Sequence, residues 1–169
     1  LKKNAKILEI GCGTGSNLKI LKNYGLVSAM EPSEDAINYL RKKDLTAVNF
    51  NKGKCPEDLD FENKFDLICM FDVLEHIDPE QEKIFLSKVV DSLKSSGVFI
   101  VGMPSIESQA YASKENIKTH INCQTASQLS NTLKSYFENV FSFGMNDEVL
   151  HTGYSKMCHY IIKICTSPK

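Results

Sequence analysis

Residues 7–15 of the chain have the sequence ILEIGCGTG, in which an apolar run is followed at once by three alternating glycines. The run Lys6–Ile10 is typical of a buried strand, and residues 15–23 place Leu18 and Leu21 at helical spacing. Glycines between a strand and a helix let the backbone turn sharply and approach a ligand where any Cβ would clash. The stretch therefore predicts a ligand-binding turn. Its candidate binding residues are Glu9, Gly11, Cys12, Gly13 and Gly15.

Strands and helices alternate along the rest of the chain. The other predicted strands are Val27–Glu31, Thr46–Phe50, Phe65–Phe71, Val98–Met103, Val140–Phe143 and Met157–Cys165, with a long polar connection before the last one. The later predicted helices run from Ser33 to about Lys43, from Asp78 to about Lys94 and from Thr125 to about Phe137, and the segment 104–124 is expected to be irregular. This alternation predicts an α/β fold with a seven-stranded, mostly parallel sheet and helices on both faces.

An acidic residue at the end of the second predicted strand indicates what the turn binds. Glu31 lies twenty positions after Gly11, where a carboxylate can accept both hydroxyl hydrogens of a ribose. Dinucleotide folds use the spacing G-x-G-x-x-G, but Ser16 occupies the third glycine position here. S-adenosylmethionine has no phosphate and carries positive charge, for which Glu9 offers a carboxylate. The spacing favours this methyl donor over a dinucleotide, and a tight turn without a ligand is the alternative.

Three successive motifs resemble those of class I S-adenosylmethionine-dependent methyltransferases. They are ILEIGCGTG, AMEPSEDAI and FDLICMFDVLEHI, and the resemblance covers roughly residues 5–105. The similarity is to the small-molecule branch that includes ubiquinone-biosynthesis O-methyltransferases. It implies a Rossmann-like sheet whose final strand is antiparallel, S-adenosylmethionine as cofactor, and one domain over residues 1–169.

The resemblance also implies which residues contact the cofactor. Gly11–Gly15 would lie under the methionine part, Glu31 would hold the ribose, and Pro32 or Ser33 would border the adenine. The residues implied beside the methionine end are Phe71 and Asp72, with Leu74 nearby.

The loop after the third strand departs from the family pattern. Family members usually offer an acid there to the adenine amino group, but this chain has Lys54 followed by Cys55. Lysine has no acceptor for an amino hydrogen, so we expect Lys54 and Cys55 to contact the cofactor only through backbone atoms. A backbone carbonyl or Glu57 would replace the missing acid.

Transfer of a methyl group to a hydroxyl needs a base, for which histidine is the obvious residue type. The candidates are His120, His76 and His151. His120 is first because it lies in the segment after the fifth strand, where the substrate lid of the family usually falls. A role for Glu75 and His76 in shaping the turn before the third helix is favoured over catalysis by His76, and His159, inside an apolar run, is expected to be structural. Tyr111, Tyr154 and Met103 could line an acceptor pocket, although ordinary packing explains them as well.

Several other functions are disfavoured by composition. The net charge is −1, so the chain lacks the basic surface of a nucleic-acid-binding protein, and FDVL lacks the Asn/Asp-Pro-Pro-aromatic motif of base methylation. No apolar stretch is long enough to span a membrane. No metal site is predicted, because Asp72 and His76 lie four positions apart without a visible third ligand. The six cysteines form no C-x-x-C pair, and we expect free thiols in a cytoplasmic protein.

The expected activity is methyl transfer from S-adenosylmethionine to an oxygen, with nitrogen less favoured, of a small molecule such as a sugar, a lipid-linked intermediate or a phenol. The alternatives are a non-catalytic cofactor-binding module of a multidomain protein and, disfavoured by the glycine spacing, a nicotinamide oxidoreductase. Because Lys6 already opens the first strand, we expect that an amino-terminal lid segment of the family is missing from these 169 residues. The sequence makes no prediction about oligomeric state.

Overall fold

The computed structural model describes residues 4–43, 45, 48–59 and 64–169. The strands are β1 (Ala5–Ile10), β2 (Gly25–Glu31), β3 (Val48–Lys52), β4 (Phe65–Phe71), β5 (Leu93–Pro104), β6 (Phe137–Asn146), β7 (Val149–His151) and β8 (Tyr160–Pro168). The helices are α1 (Leu18–Leu21), α2 (Glu34–Arg41), α3 (Pro79–Asp91), α4 (Lys114–Thr119) and α5 (Ala126–Lys134). Short 3₁₀ turns cover Leu74–His76, Ile106–Tyr111 and Ser155–Met157. Thr46 and Ala47, at the start of the predicted third strand, lie outside the described residues.

The strands form one sheet in the order β3-β2-β1-β4-β5-β8-β6-β7. Strands β1 to β5 are parallel to one another, and β8 runs antiparallel to both β5 and β6. The predicted Rossmann-like, mostly parallel sheet with an antiparallel final strand is confirmed. Because the carboxyl ends of the parallel strands meet at one edge, the segments that follow β1, β2 and β4 lie side by side.

The sheet has one strand more than the seven predicted. Strand β7 pairs with the end of β6 as an antiparallel hairpin, with Asn146 opposite Val149. The two residues between them, Asp147 and Glu148, have φ values of 46° and 66°. Two successive left-handed residues make the tight turn that two-residue hairpins favour. Because Asp147 and Glu148 are polar, the sequence predicted a long connection here and not a hairpin.

Helices cover both faces of the sheet. On one face α1 and α2 pack through Leu18 and Leu40 against β1 to β4. On the other face α3 and α5 pack through residues such as Phe85, Leu129 and Leu133. Successive side chains of β1 point to opposite faces of the sheet. Ile7 belongs to the core cluster under α1 and α2, and its neighbour Leu8 belongs to the cluster under α3 and α5.

The helix starts are set by the predicted capping residues. Ser33 Oγ accepts from Ala36 N at 3.3 Å, and Asp78 Oδ1 accepts from Glu80 N at 2.9 Å. Thr125 opens α5 with a capping box. Helix α1 is shorter than predicted, because the residues from 15 to 17 are still part of the turn that follows β1.

The segment 104–124 is more regular than predicted, since it contains a 3₁₀ turn and α4. Among the described residues, no helix is both long enough and apolar enough to traverse a lipid bilayer. All six cysteines are free thiols, as expected. Burial raises the pKa of the Cys12 and Cys165 thiols to about 12, so these thiols stay protonated near neutral pH.

Candidate active site

A cavity of about 550 Å³ opens at the carboxyl ends of β1, β2 and β4. Ten of the predicted cofactor residues line it, namely Glu9, Gly11, Cys12, Gly13, Glu31, Pro32, Lys54, Cys55, Phe71 and Asp72. These residues come from four separate parts of the sequence. The topology of the parallel sheet brings them together, as expected for ligand sites in open α/β folds.

The floor of the cavity is the turn after β1. Gly11 N and Cys12 N both donate to Met30 O, at 2.8 and 3.2 Å, and this pins the turn to the end of β2. Gly11 has a φ of 71°, and a Cβ on it would lie 2.3 Å from Cγ2 of Val73. Gly13 has a φ of 51°, but a Cβ there would meet no protein atom within 4 Å. The space above Gly13 is therefore open for a ligand rather than filled by the fold.

Two of the predicted cofactor residues lie away from the cavity lining. A Cβ on Gly15 would lie 2.5 Å from Cδ2 of Leu40 and 3.2 Å from Cδ1 of Leu18, so this glycine allows α1 and α2 to pack closely. Leu74 is fully buried in the core beneath the site. Both residues shape the site from behind, through packing.

Glu31 is held in a fixed orientation at the end of β2. Its Oε2 accepts from Gly13 N at 2.9 Å, and its Oε1 accepts from Ser33 N at 3.0 Å. Each carboxylate oxygen has further acceptor capacity, and the residue lines the cavity. Two backbone amides thus fix the orientation of this carboxylate, and its pairing with ribose hydroxyls stays a prediction.

Glu9 is a buried carboxylate with one oxygen unsatisfied. Asn17 Nδ2 donates to its Oε1 at 2.8 Å, whereas its Oε2 has no hydrogen-bond partner among residues 4–43, 45, 48–59 and 64–169. Burial raises the pKa of Glu9 to about 7, and the bond from Asn17 opposes this. A positively charged ligand in the cavity would favour the ionised form. The unsatisfied oxygen therefore fits the cationic methionine end of S-adenosylmethionine.

The loop after β3 contributes to the cavity through Gly53, Lys54 and Cys55. Lys54 N donates to Asp58 Oδ2 at 2.8 Å, which fixes the loop. The Cys55 Sγ lies 3.9 Å from Met30 Sδ, so this side chain packs toward the core. Contacts of Lys54 and Cys55 with the cofactor through backbone atoms stay a prediction.

Asp72 occupies an unusual backbone conformation at the end of β4. Its φ is 56°, which non-glycine residues rarely adopt, and its N–H donates to Gly102 O at 3.1 Å. Tyr160 on β8 hydrogen-bonds to Asp72, and burial raises the pKa of this tyrosine. The strained position turns the chain so that Asp72 and Val73 both line the cavity.

Two of the three candidate histidines meet at the mouth of the cavity. His76 lines it, and the ring of His120 lies edge-on to the ring of His76, with centroids 5.0 Å apart. The Nδ1 of His76 is 3.0 Å from Thr119 O, and the Nδ1 of His120 is 3.1 Å from Gln109 Oε1. Burial, followed by the charge of His76, lowers the pKa of His120, which favours a neutral imidazole.

The structure places His151 in a different part of the molecule. It lies on β7, where its Nδ1 accepts from Gly153 N at 2.9 Å and its Nε2 lies 3.9 Å from Cys158 Sγ. His159 is exposed. Tyr111 and Tyr154 are also exposed, whereas Met103 is fully buried in the core. The catalytic roles of the three histidines stay predictions, but the geometry favours His120 and His76 over His151.

Sequence reasoning did not single out several residues that shape the site. They are Ser16, Asn17, Met30, Gly53, Val73 and Ile77 in the lining, and Gln109 beside His120. Glu75 was weighed only as a residue that shapes the turn, yet it is fully buried, and its carboxylate oxygens have no hydrogen-bond partner in the part of the chain that the structure describes. A charged residue in the apolar context Val-Leu-Glu-His-Ile was the available signal.

Comparison with known proteins identifies the family. The family described as "Methyltransferase domain" matches residues 7–97, which include the glycine turn, Glu31 and the end of β4. The chain belongs to this methyltransferase family. The predicted class of S-adenosylmethionine-dependent methyltransferases is therefore confirmed.

Individual relatives of this methyltransferase are distant. An uncharacterized methyltransferase of Staphylococcus carnosus is 29% identical over 80% of the chain and 65% of its own length. A ubiquinone biosynthesis O-methyltransferase of Rickettsia bellii is 28% identical over 63% of the chain and 45% of its own length. The chain thus spans less than two thirds of the length of either relative.

A solved structure with the same fold is the plantazolicin methyltransferase BpumL, determined with a monoazolic desmethylPZN analog and SAH. It superposes with a TM-score of 0.74, covers 96% of this chain and 76% of its own, and is 15% identical. At this identity the likeness supports the fold and not the acceptor.

Proposed function

We propose that this methyltransferase transfers the methyl group of S-adenosylmethionine to an oxygen atom of a small-molecule acceptor. The observation that carries the choice of oxygen is the pair of imidazoles, His76 and His120, at the mouth of the cofactor cavity. A hydroxyl must lose a proton when it is methylated, and a neutral imidazole is suited to accept it.

The cofactor side of the site would act mainly by binding. S-adenosylmethionine supplies a methyl group already activated by its sulfonium. Glu31 would accept hydrogen bonds from the ribose hydroxyls, and the free Oε2 of Glu9 would face the cationic end of the cofactor. The open space above Gly13 would let the cofactor approach the backbone closely. Fixed carboxylates of this kind hold the reactants in line without having to reorganise.

The acceptor side would remove a proton. The Nδ1 atoms of both imidazoles face carbonyl oxygens, which can only accept hydrogen bonds, so each Nδ1 carries the proton and each Nε2 has a free lone pair. The acceptor hydroxyl would give its proton to Nε2 of His120 while its oxygen forms the bond to the methyl carbon and the carbon–sulfur bond breaks. The products are the methyl ether, S-adenosylhomocysteine and a protonated imidazole.

The test is a screen with labelled methyl donor against matched pairs of acceptors. Phenols, catechols and sugars would be compared with amines of the same skeleton, and product would be measured by mass spectrometry. We expect methylation of at least one hydroxyl compound and little of its amine counterpart. Preference for the amines would contradict the oxygen assignment. Tight cofactor binding without transfer to any acceptor would support the non-catalytic module instead. A cytoplasmic location stays a prediction.

A further inference from the structure

Three potential metal ligands converge beside the cofactor cavity. Glu75 and His76 lie on the 3₁₀ turn after β4, and His120 lies at the carboxyl end of α4. One ligand atom from each residue lies within 4.8 Å of the other two. Two of these residues are adjacent in sequence, but the third is forty-four positions later. The cluster is therefore a product of the tertiary fold, which explains why the sequence showed no third ligand for His76.

The hydrogen bonds of the two histidines leave both Nε2 lone pairs free. Thr119 O can only accept, so Nδ1 of His76 is the donor. The amide of Gln109 is oriented by its Nε2, which lies 3.4 Å from both Ser105 O and Ser108 Oγ, so its Oε1 faces His120 and accepts from Nδ1. Histidines that bind metals have this arrangement, in which one ring nitrogen donates to a carbonyl and the other binds the ion.

Glu75 is fully buried, and among the described residues neither of its carboxylate oxygens has a hydrogen-bond partner. The Nε2 of His76 is 3.9 Å from Oε1 of Glu75, which is too far for a hydrogen bond. Its backbone is nonetheless fixed, because Asn122 N donates to Glu75 O at 2.9 Å. A buried carboxylate left in this state is costly, and a bound cation would remove the cost.

We propose that Glu75, His76 and His120 bind one divalent transition-metal ion of the zinc type, with an open position facing the cavity. Two imidazole nitrogens and one carboxylate oxygen form a donor set that such ions prefer over Mg²⁺ or Ca²⁺. Bonds of about 2.0–2.2 Å between the ion and its nitrogen and oxygen ligands require the three ligand atoms to move somewhat closer together. The half-exposed His76 side chain has room to make this adjustment.

The ion would give the acceptor side a second way to ionise a hydroxyl, and this role rests on the proposed function. A hydroxyl bound at the open position of a zinc-type ion has a strongly lowered pKa, so it loses its proton to solvent before transfer. His120 would then be a ligand, because one lone pair cannot serve both as ligand and as base. The favoured acceptors are those with an oxygen that can bind the ion.

Binding of the ion can be measured without donor or acceptor. The chain would be stripped with a chelator and titrated with Zn²⁺ by calorimetry and with Co²⁺ by visible absorption. We expect one ion per chain, and a Co²⁺ spectrum typical of nitrogen and oxygen ligands. His76→Ala and His120→Ala should each weaken Zn²⁺ binding by more than about tenfold. His159→Ala is the matched control and should bind normally, because His159 is an exposed histidine outside the cluster.

Two further variants separate the loss of metal binding from the loss of the fold. Glu75→Gln keeps the side-chain volume and should weaken Zn²⁺ binding without loss of the circular dichroism spectrum. Gln109→Leu should leave the three ligands in place but weaken binding, since it removes the acceptor that orients His120. Absence of stoichiometric Zn²⁺ binding, or binding unchanged in both histidine variants, would overturn the proposal.

The metal site and the methyl transfer can fail separately. Bound Zn²⁺ that the cluster variants abolish, together with no product in the acceptor screen, supports the metal site and counts against the proposed function. Full methyl transfer by the chelator-treated chain, with no Zn²⁺ bound on titration, supports the transfer and overturns the metal site.

Discussion

The two sides of the cavity are built from different kinds of sequence. The cofactor side, around Gly13 and Glu31, comes from β1, β2 and the turn between β1 and α1, and its key contact joins residues only eighteen positions apart. The acceptor side joins Glu75 and His76 to His120 across more than forty positions. The first side is therefore specified by a local motif, whereas the second depends on where the fold places a distant segment.

The largest expected effect is the loss of cofactor binding in Gly13→Val. The open space above Gly13 accepts a side chain only in the absence of a ligand, and its φ of 51° adds strain. We expect calorimetry to detect no S-adenosylmethionine binding, while circular dichroism shows a folded chain. The companion variant Gly15→Ala should behave in the opposite way, with a lowered melting temperature, because the new Cβ would meet Leu40 and Leu18. Normal affinity in Gly13→Val would mean that the cofactor lies elsewhere.

His120→Ala tests the acceptor side alone. The ring contacts His76 and Gln109, and the described contacts of His120 include none with Gly13 or Glu31. Loss of a base or ligand for the acceptor should lower turnover by about 10²–10⁴-fold. S-adenosylmethionine affinity should stay within twofold of the unmodified chain. A comparable fall in cofactor affinity would show that the two sides are coupled and not separate. Full turnover would direct attention to His76 or His151.

Glu31→Ala should weaken S-adenosylmethionine binding by more than tenfold. The substitution removes charge-assisted hydrogen bonds to two hydroxyls, each worth about 1.5–3 kcal/mol. It also frees Gly13 N and Ser33 N, which hold the turn. Glu31→Gln keeps the side-chain shape but loses one acceptor oxygen. Its affinity for S-adenosylmethionine should lie between that of the unmodified chain and that of Glu31→Ala. Calorimetry at matched pH measures all three, and an effect within twofold would mean that the carboxylate faces solvent.

The smallest expected effect is a pH dependence of cofactor affinity that comes from Glu9. In the free chain its pKa is raised to about 7, so the carboxyl becomes increasingly neutral below that pH. A cationic ligand binds the ionised form better, so affinity should rise from pH 6 to pH 8 by at most about tenfold and then level off. Glu9→Gln should remove this dependence and retain the weaker, pH-independent affinity. A pH profile that is the same for Glu9→Gln and the unmodified chain would assign the titration to another group.

Sequence reasoning succeeded where local physics decides the structure. The glycine turn needs positive φ at Gly11 and Gly13, and the caps at Ser33 and Asp78 need side chains with an oxygen acceptor. The residue types at these positions therefore indicate the local backbone conformation. The family match over residues 7–97 covers this part of the chain. Ten of the twelve predicted cofactor positions accordingly line the cavity.

The features that sequence reasoning missed, or that lie apart from the cavity lining, depend on contacts between residues remote in sequence. Gly15 fits the sequence pattern of a ligand-binding glycine, but it packs against Leu40, twenty-five positions later. Strand β7 was missed because Asp147 and Glu148 look like loop residues until their conformations are known. The backbone of Glu75 is held by Asn122, forty-seven positions later, and no local pattern in the sequence records that contact.

The segment between β5 and α5 is tied together at its base. Ser105 and Gln124 form a parallel bridge, Ile106 N donates to Gln124 O at 3.1 Å, and Ser105 Oγ donates to Cys158 O at 2.6 Å. The two ends of this segment therefore lie side by side, one at the end of β5 and the other just before α5. An insertion with adjacent ends can change in length and composition at little cost to the scaffold. A change of length in this segment, which carries His120, would therefore leave the turn at Gly13 and the end of β2 in place.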